Sequence, residues 1–147
     1  MSRVSRKLHS QVVRRAENRC EYCQLSQEGQ EATFHIDHIV PQASSGKTNA
    51  DNLALACVSC SLRKLAKEYG VDSESGESTL LFNPRTQRWE DHFRWEDPRV
   101  VPLTAAGRCT VAMLAMNRPL ILAIRKEESL RNRHPPPRTQ VQGEAPS

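Results

Sequence analysis

Four cysteines come in two pairs of one spacing, Cys20-Glu-Tyr-Cys23 and Cys57-Val-Ser-Cys60, with thirty-three residues between the pairs. Each pair has the bite of a tetrahedral ion, and two such pairs make the four-thiolate set of a structural Zn²⁺ site. The other common use of CxxC is a redox dithiol, which opens a helix in a βαβ context; that pattern is absent here. An ion held by four protein ligands has no open position, so it would hold structure and leave hydrolysis to other groups. Cys109 is left over, and on a helical pattern it suits a buried apolar position.

A second chemistry lies between the pairs. Asp37 could supply an oxygen ligand to a hard divalent cation, and His38 belongs to the residue type that takes a proton from water near neutral pH. Neighbours in a strand face opposite sides, so these two share a role only where the backbone bends, and Pro41 and the loop after it offer a bend. His35 falls on the same face as Asp37 by strand alternation. It is either a further ligand or a packed or surface histidine.

The elements that must position these groups follow from the pattern. Ser5–Asn18 reads as a short helix with Leu8, Val12, Val13 and Ala16 at three- and four-residue spacing and Ser5 as its N-cap. Residues Thr33–Asp37 suit a short strand and Asn52–Ala56 a second, joined by a connection that turns at Ser44-Ser45-Gly46. Ser61–Tyr69 reads as a helix with Leu62, Leu65 and Ala66 on its apolar face, stopped by Gly70. The unit is strand, loop, strand, helix. Beyond it, Val71–Ser78 reads as an acidic loop, and the stretch with Phe82, Trp89, Phe93 and Trp95 as extended structure folding back on that unit. Helices are expected over Ala105–Met116 and Leu120–Asn132, separated at Asn117-Arg118-Pro119. The Pro-rich polar stretch 134–147 reads as a disordered tail.

Composition bounds the rest. One domain is expected over 1–133, with a core at 20–69 and an extension at 80–133. Only 37% of its 147 residues are hydrophobic and 5% aromatic, so the core is thin and a metal staple is expected. No signal peptide and no apolar run of about 18–20 residues is visible, which points to a cytoplasmic protein without membrane association. The net charge is +4. Much of that excess comes from Arg3, Arg6, Lys7, Arg14, Arg15 and Arg19 around the first helix, set against the single acid Glu17. Such a face is either solvated or a phosphate contact.

Taken together, CEYC, HIDHIVP, Gly46 and DNLALAC with its paired Cys60 resemble the HNH endonuclease family in its zinc-stapled ββα-metal form. The likeness covers Cys20 to about Lys67. The downstream LFNPRTQRWEDHFRW and GRCTVAMLAMNRPLILAIR also resemble the tail of a bacterial HNH subfamily. The resemblance implies an α+β fold with a ββα-metal core and metal-dependent hydrolysis of DNA, using structural Zn²⁺ and a catalytic divalent ion such as Mg²⁺. It implies Asp37 as a ligand of that ion, His38 as the general base and Asn52 as the residue that holds the loop and orients the histidine. It also implies products with 5′-phosphate and 3′-hydroxyl ends. The family's last metal ligand, usually His or Asn after the final cysteine, is Ser61 here; a serine hydroxyl is a shorter, neutral oxygen ligand, and His35 could compensate. Arg63, Lys64 and Lys67 on the following helix, with Arg14 and Arg15, are candidate phosphate contacts, which position a strand without reading its sequence. Two other functions fit the same residues: a zinc-stapled nucleic-acid-binding module without catalysis, and a zinc-organised protein-interaction domain. The last leaves Asp37, His38 and Asn52 unexplained.

Overall fold

The computed structural model describes residues 3–137. Helix α1 spans Arg6–Arg15, and the Ser5 hydroxyl accepts from the Leu8 amide at 3.1 Å. It buries Val12 completely, with Leu8, Val13 and Ala16 packed against the same core. Strand β1 (His35–His38) pairs antiparallel with β2 (Leu53–Ala56), in the register His35 to Ala56, Asp37 to Ala54 and His38 to Leu53. Directly paired residues share a face. The small Ala54 and Ala56 therefore lie on the face of His35 and Asp37, where helix α2 (Val58–Lys64) packs, and Leu53 and Leu55 lie on the other with Ile36 and His38. All four residues of β2 are buried. Glu21 of the first cysteine pair ties that segment to β2: its amide donates to Leu55 O, and the Leu55 amide donates to its carboxylate, each at 2.8 Å.

Helix α2 is not the helix expected over Ser61–Tyr69. It begins inside the second cysteine pair, where Cys57 Sγ accepts from the Cys60 amide, and it ends at Lys64, with Leu65 at a φ of 51°. Leu62 and Leu65 are 60% and 64% exposed; the residues turned inward are Cys60 and Lys64. Cys57 and Cys60 must face the first pair, and that requirement sets the rotation of the helix. Four residues after Cys60, one turn on, the same face presents Lys64.

Gly70 does not stop a helix but lies in β3 (Tyr69–Val71), which pairs with β4 (Ser78–Leu80). The loop expected at 71–78 is the turn of this hairpin. The Asp72 carboxylate holds it, accepting from Ser75 and from Arg108 Nε and Nη2 at 2.7 and 3.1 Å.

The aromatic stretch does fold back on the unit. It contains a one-turn helix, α3 (Trp89–His92), and a hairpin of β5 (Phe93–Glu96) and β6 (Arg99–Pro102). Trp89 stacks near Phe93 and Trp95 at 4.9 and 5.0 Å, and its indole N–H donates to Tyr22 O at 2.8 Å. Helix α4 (Ala105–Met113) starts on Thr104, and α5 (Pro119–Leu130) carries Pro119 in its first turn. The Asn117 side chain bonds both the amide and the carbonyl of Val100 at 2.8 Å, tying the link between α4 and α5 to β6. His134, placed in the tail by composition, is buried and bonds Asp97 at 2.6 Å. Docked chain therefore extends past the boundary expected at 133; residues 138–147 of that tail lie outside the described residues. No helix among the described residues is long and apolar enough to cross a membrane.

Candidate metal centre and active site

The two cysteine pairs converge. The sulfurs of Cys20, Cys23, Cys57 and Cys60 all lie within 4.8 Å of one another, and all four residues are buried. Cys23 and Cys57 sulfurs are 3.7 Å apart. Zn–S bonds of about 2.3 Å in a tetrahedron require sulfur separations of roughly 3.8 Å, so the cage fits an ion such as Zn²⁺. Inside each pair, the amide of the second cysteine donates to the sulfur of the first at 3.4 Å. Hydrogen bonds from its neighbours push the Cys57 thiol far down, while burial pushes Cys20 up and the neighbouring thiols push Cys60 up. Cys109 lies apart from this cluster and is buried, as its pattern suggested.

The groups at β1 do not converge in the same way. Asp37 is 8% exposed, and its carboxylate accepts from the Tyr22 hydroxyl at 2.7 Å and pairs with Lys64 Nζ at 3.1 Å. Burial raises the Asp37 carboxyl above its usual range, against the opposing pull of Lys64 and Tyr22. Burial first, then Asp37, holds the Tyr22 hydroxyl well above its ordinary value, so it stays a donor. Lys64 Nζ also lies 3.4 and 3.3 Å from the carbonyls of His38 and Ile39. At 2% exposure it is removed from the phosphate-facing set expected from the sequence. Its ammonium sits in an oxygen cage made by the residues around His38.

His38 is half-buried, and its Nε2 lies 2.9 Å from Thr48 Oγ1. The loop that carries Thr48 is closed by Asn52. Asn52 Oδ1 accepts from the Val40 amide, and its Nδ2 donates to the carbonyls of Val40 and Lys47, each at 2.9 Å. Asn52 thus clamps the loop at both ends. Gly46 is needed at its tightest point, because a Cβ there would lie 1.7 Å from Val40 O.

His35 Nδ1 meets Ser61 Oγ at 2.8 Å. The cage of Asp37, His35 and Ser61 expected for a catalytic cation is therefore divided: His35 and Ser61 meet, whereas Asp37 is committed to Lys64 and Tyr22. As arranged, Asp37 is taken up by Lys64 and Tyr22, and His35 and Ser61 are the donors left to meet a second, hard cation. Among the described residues the four cysteines are the only cluster of three or more His, Cys, Asp or Glu side chains placed to share an ion.

Of the basic residues singled out, Arg14, Arg63 and Lys67 are exposed. Arg15 is not a free contact; its guanidinium donates to Ala50 O and Leu53 O at 2.8 and 2.7 Å, pinning α1 to the start of β2. Tyr22, Thr48 and the inward role of Lys64 had no sequence signal beyond residue type.

Residues 20–67 match the HNH endonuclease family model. The matched segment covers about a third of the chain and holds both cysteine pairs, β1, β2, α2 and the Asn52 clamp. No curated protein and no solved structure matches the chain. The four-cysteine cage and the β1–β2–α2 unit agree with the ββα-metal core of HNH domains, and the family links this segment to nuclease function.

Proposed function

We propose that the chain is a metal-dependent endonuclease that hydrolyses DNA phosphodiester bonds with His38 as general base, on a core stapled by Zn²⁺ at Cys20, Cys23, Cys57 and Cys60. The observation that carries this reading is the placement of His38 within the HNH segment. Its imidazole is half-buried, contacts the neutral hydroxyl of Thr48, and sits on backbone fixed by Asn52 on one side and Lys64 on the other. A histidine so held, with no carboxylate on its Nε2, can take a proton from water and leave hydroxide in line with a phosphorus. Arg63 and Lys67 at the exposed end of α2, and Arg14 on α1, supply positive charge for flanking phosphates. HNH nucleases use divalent metals, and in this arrangement His35 and Ser61 are the donors not committed to an ion pair.

One observation favours a second reading, a nucleic-acid-binding module that has lost catalysis. Asp37 is tied to an internal ammonium, so the expected ligand set is not assembled. Both readings are separated by incubating zinc-replete protein and supercoiled plasmid with Mg²⁺, Mn²⁺, Co²⁺ and Ni²⁺ in turn. Nicking that requires one of these ions supports the nuclease. Plasmid binding without nicking under every ion supports the silent module.

A further inference from the structure

A cavity of about 350 Å³ lies among the end of α1, the first cysteine pair and β5, away from the His35–Ser61 contact. This volume is near the lower end of the roughly 300–1,000 Å³ typical of small-molecule sites. Trp89, Phe93 and Trp95 wall it, and both tryptophans of the chain line it. Its polar lining is mixed: Arg19 donates to Gln24 O and Arg133 O and Glu21 pairs with Arg85, which leaves the side-chain amides of Gln24 and Gln87 as the groups to meet a ligand. An anion alone calls for one sign of charge. A planar aromatic heterocycle, whose edge alternates donors and acceptors, calls for rings on its faces and mixed polar groups at its rim.

The cavity is also joined to the candidate active site. Arg15 lines it, and the same guanidinium holds Ala50 O and Leu53 O, on either side of the Asn52 clamp.

We propose that this cavity takes one unpaired nucleobase of a nucleic-acid strand, stacked against the tryptophan wall and met at its edge by Gln24 and Gln87. The inference rests on nucleic acid being the substrate and adds a binding subsite to it. Aromatic stacking tolerates every base, so the subsite favours single-stranded or distorted positions over any particular sequence.

Tryptophan fluorescence reports on the cavity directly. Full-length zinc-replete protein, without added divalent ions, is titrated with deoxyadenosine monophosphate and with a short single-stranded oligonucleotide. The expected result is saturable quenching by both. Ala16→Leu, which projects into the void from the end of α1, weakens it about tenfold, on the scale of one lost base stack. Trp95→Phe keeps binding with a smaller signal from Trp89. Absence of saturable quenching overturns the proposal, as does equal affinity in Ala16→Leu. Quenching by a peptide of residues 138–147 that displaces the nucleotide also overturns it, by making the chain's own tail the occupant. Plasmid nicking is scored separately: nicking without quenching removes the cavity alone, whereas quenching without nicking keeps the cavity and removes the nuclease reading.

Discussion

The two ends of the β1–β2 hairpin are built on different terms. At the cysteine end, four side chains of one type meet at distances that a single ion dictates, and the backbone amides of both pairs already point at their sulfurs. Along β1 toward His38, a carboxylate, two histidines and a serine lie close in sequence or space, yet they separate into a His35–Ser61 pair beside the cysteines, an Asp37–Lys64 pair and a His38–Thr48 pair. The cysteine end has one answer because its ligands can do little else when buried. The His38 end has several, and a lysine on the facing helix chooses among them.

The sharpest way to break this contrast is to remove the staple. Zinc chelation or Cys57→Ser is expected to abolish cooperative unfolding, since structural zinc binding is worth roughly 10 kcal/mol or more to small domains that depend on it. Calorimetry with and without chelator checks this. If the fold survives intact, the cysteine end does not determine it.

Breaking the buried pair tests the other end. Lys64→Met leaves a buried carboxylate without its cation and is expected to cost about 3–5 kcal/mol, with much of that recovered in the double variant with Asp37→Asn. Denaturant unfolding of the double-mutant cycle measures the coupling. The pH dependence has a fixed sign. Burial raises the folded-state pKa of Asp37, so its contribution is full below the ordinary carboxylate pKa and is lost as pH rises through the raised value. Over the pH range in which zinc stays bound, the Tm of the parent relative to the double variant is expected to fall as pH rises, which paired thermal melts across that range measure.

Asn52→Ala removes three hydrogen bonds that close the loop between β1 and β2. A stability loss of about 1–3 kcal/mol is expected, with cleavage falling further than stability because Thr48 and His38 lose their fixed relation. The smallest effects belong to the surface. Arg63→Ala and Lys67→Ala are each expected to weaken DNA binding modestly and reduce the salt slope by about 1, whatever the DNA sequence. Filter binding across salt concentrations tests it; a change in sequence preference would place those residues at bases instead.

The same contrast explains what the sequence could disclose. Cysteine spacing names a metal and its geometry without knowledge of the fold. Gly46 is legible as part of a turn, whereas the loop-holding role of Asn52 is legible only through the resemblance to HNH domains; the structure supplies the reasons, a close approach to Val40 O and a side chain that both donates and accepts. The α1 cap and apolar stripe were legible because they are local. Helix α2 was mis-phased because its leucines have helical spacing, while its rotation is set by Cys57 and Cys60 reaching across the chain. Lys64 reads as one more cation in a basic helix, and nothing near it in sequence discloses an aspartate twenty-seven residues upstream. Gly70 reads as a stop signal because it follows a helical pattern. Its actual constraint is Met113 packing against the β3 backbone, a contact made only after α4 docks.

If His38 is the base of a working site held on an independent staple, nicking of supercoiled plasmid shows it when zinc-replete wild type is compared with zinc-replete, folded His38→Ala under the most active divalent ion. Nicking by the wild type is expected, with a loss of at least about a hundredfold in the variant, the scale of general-base catalysis. Equal nicking by the two proteins would remove His38 from that role.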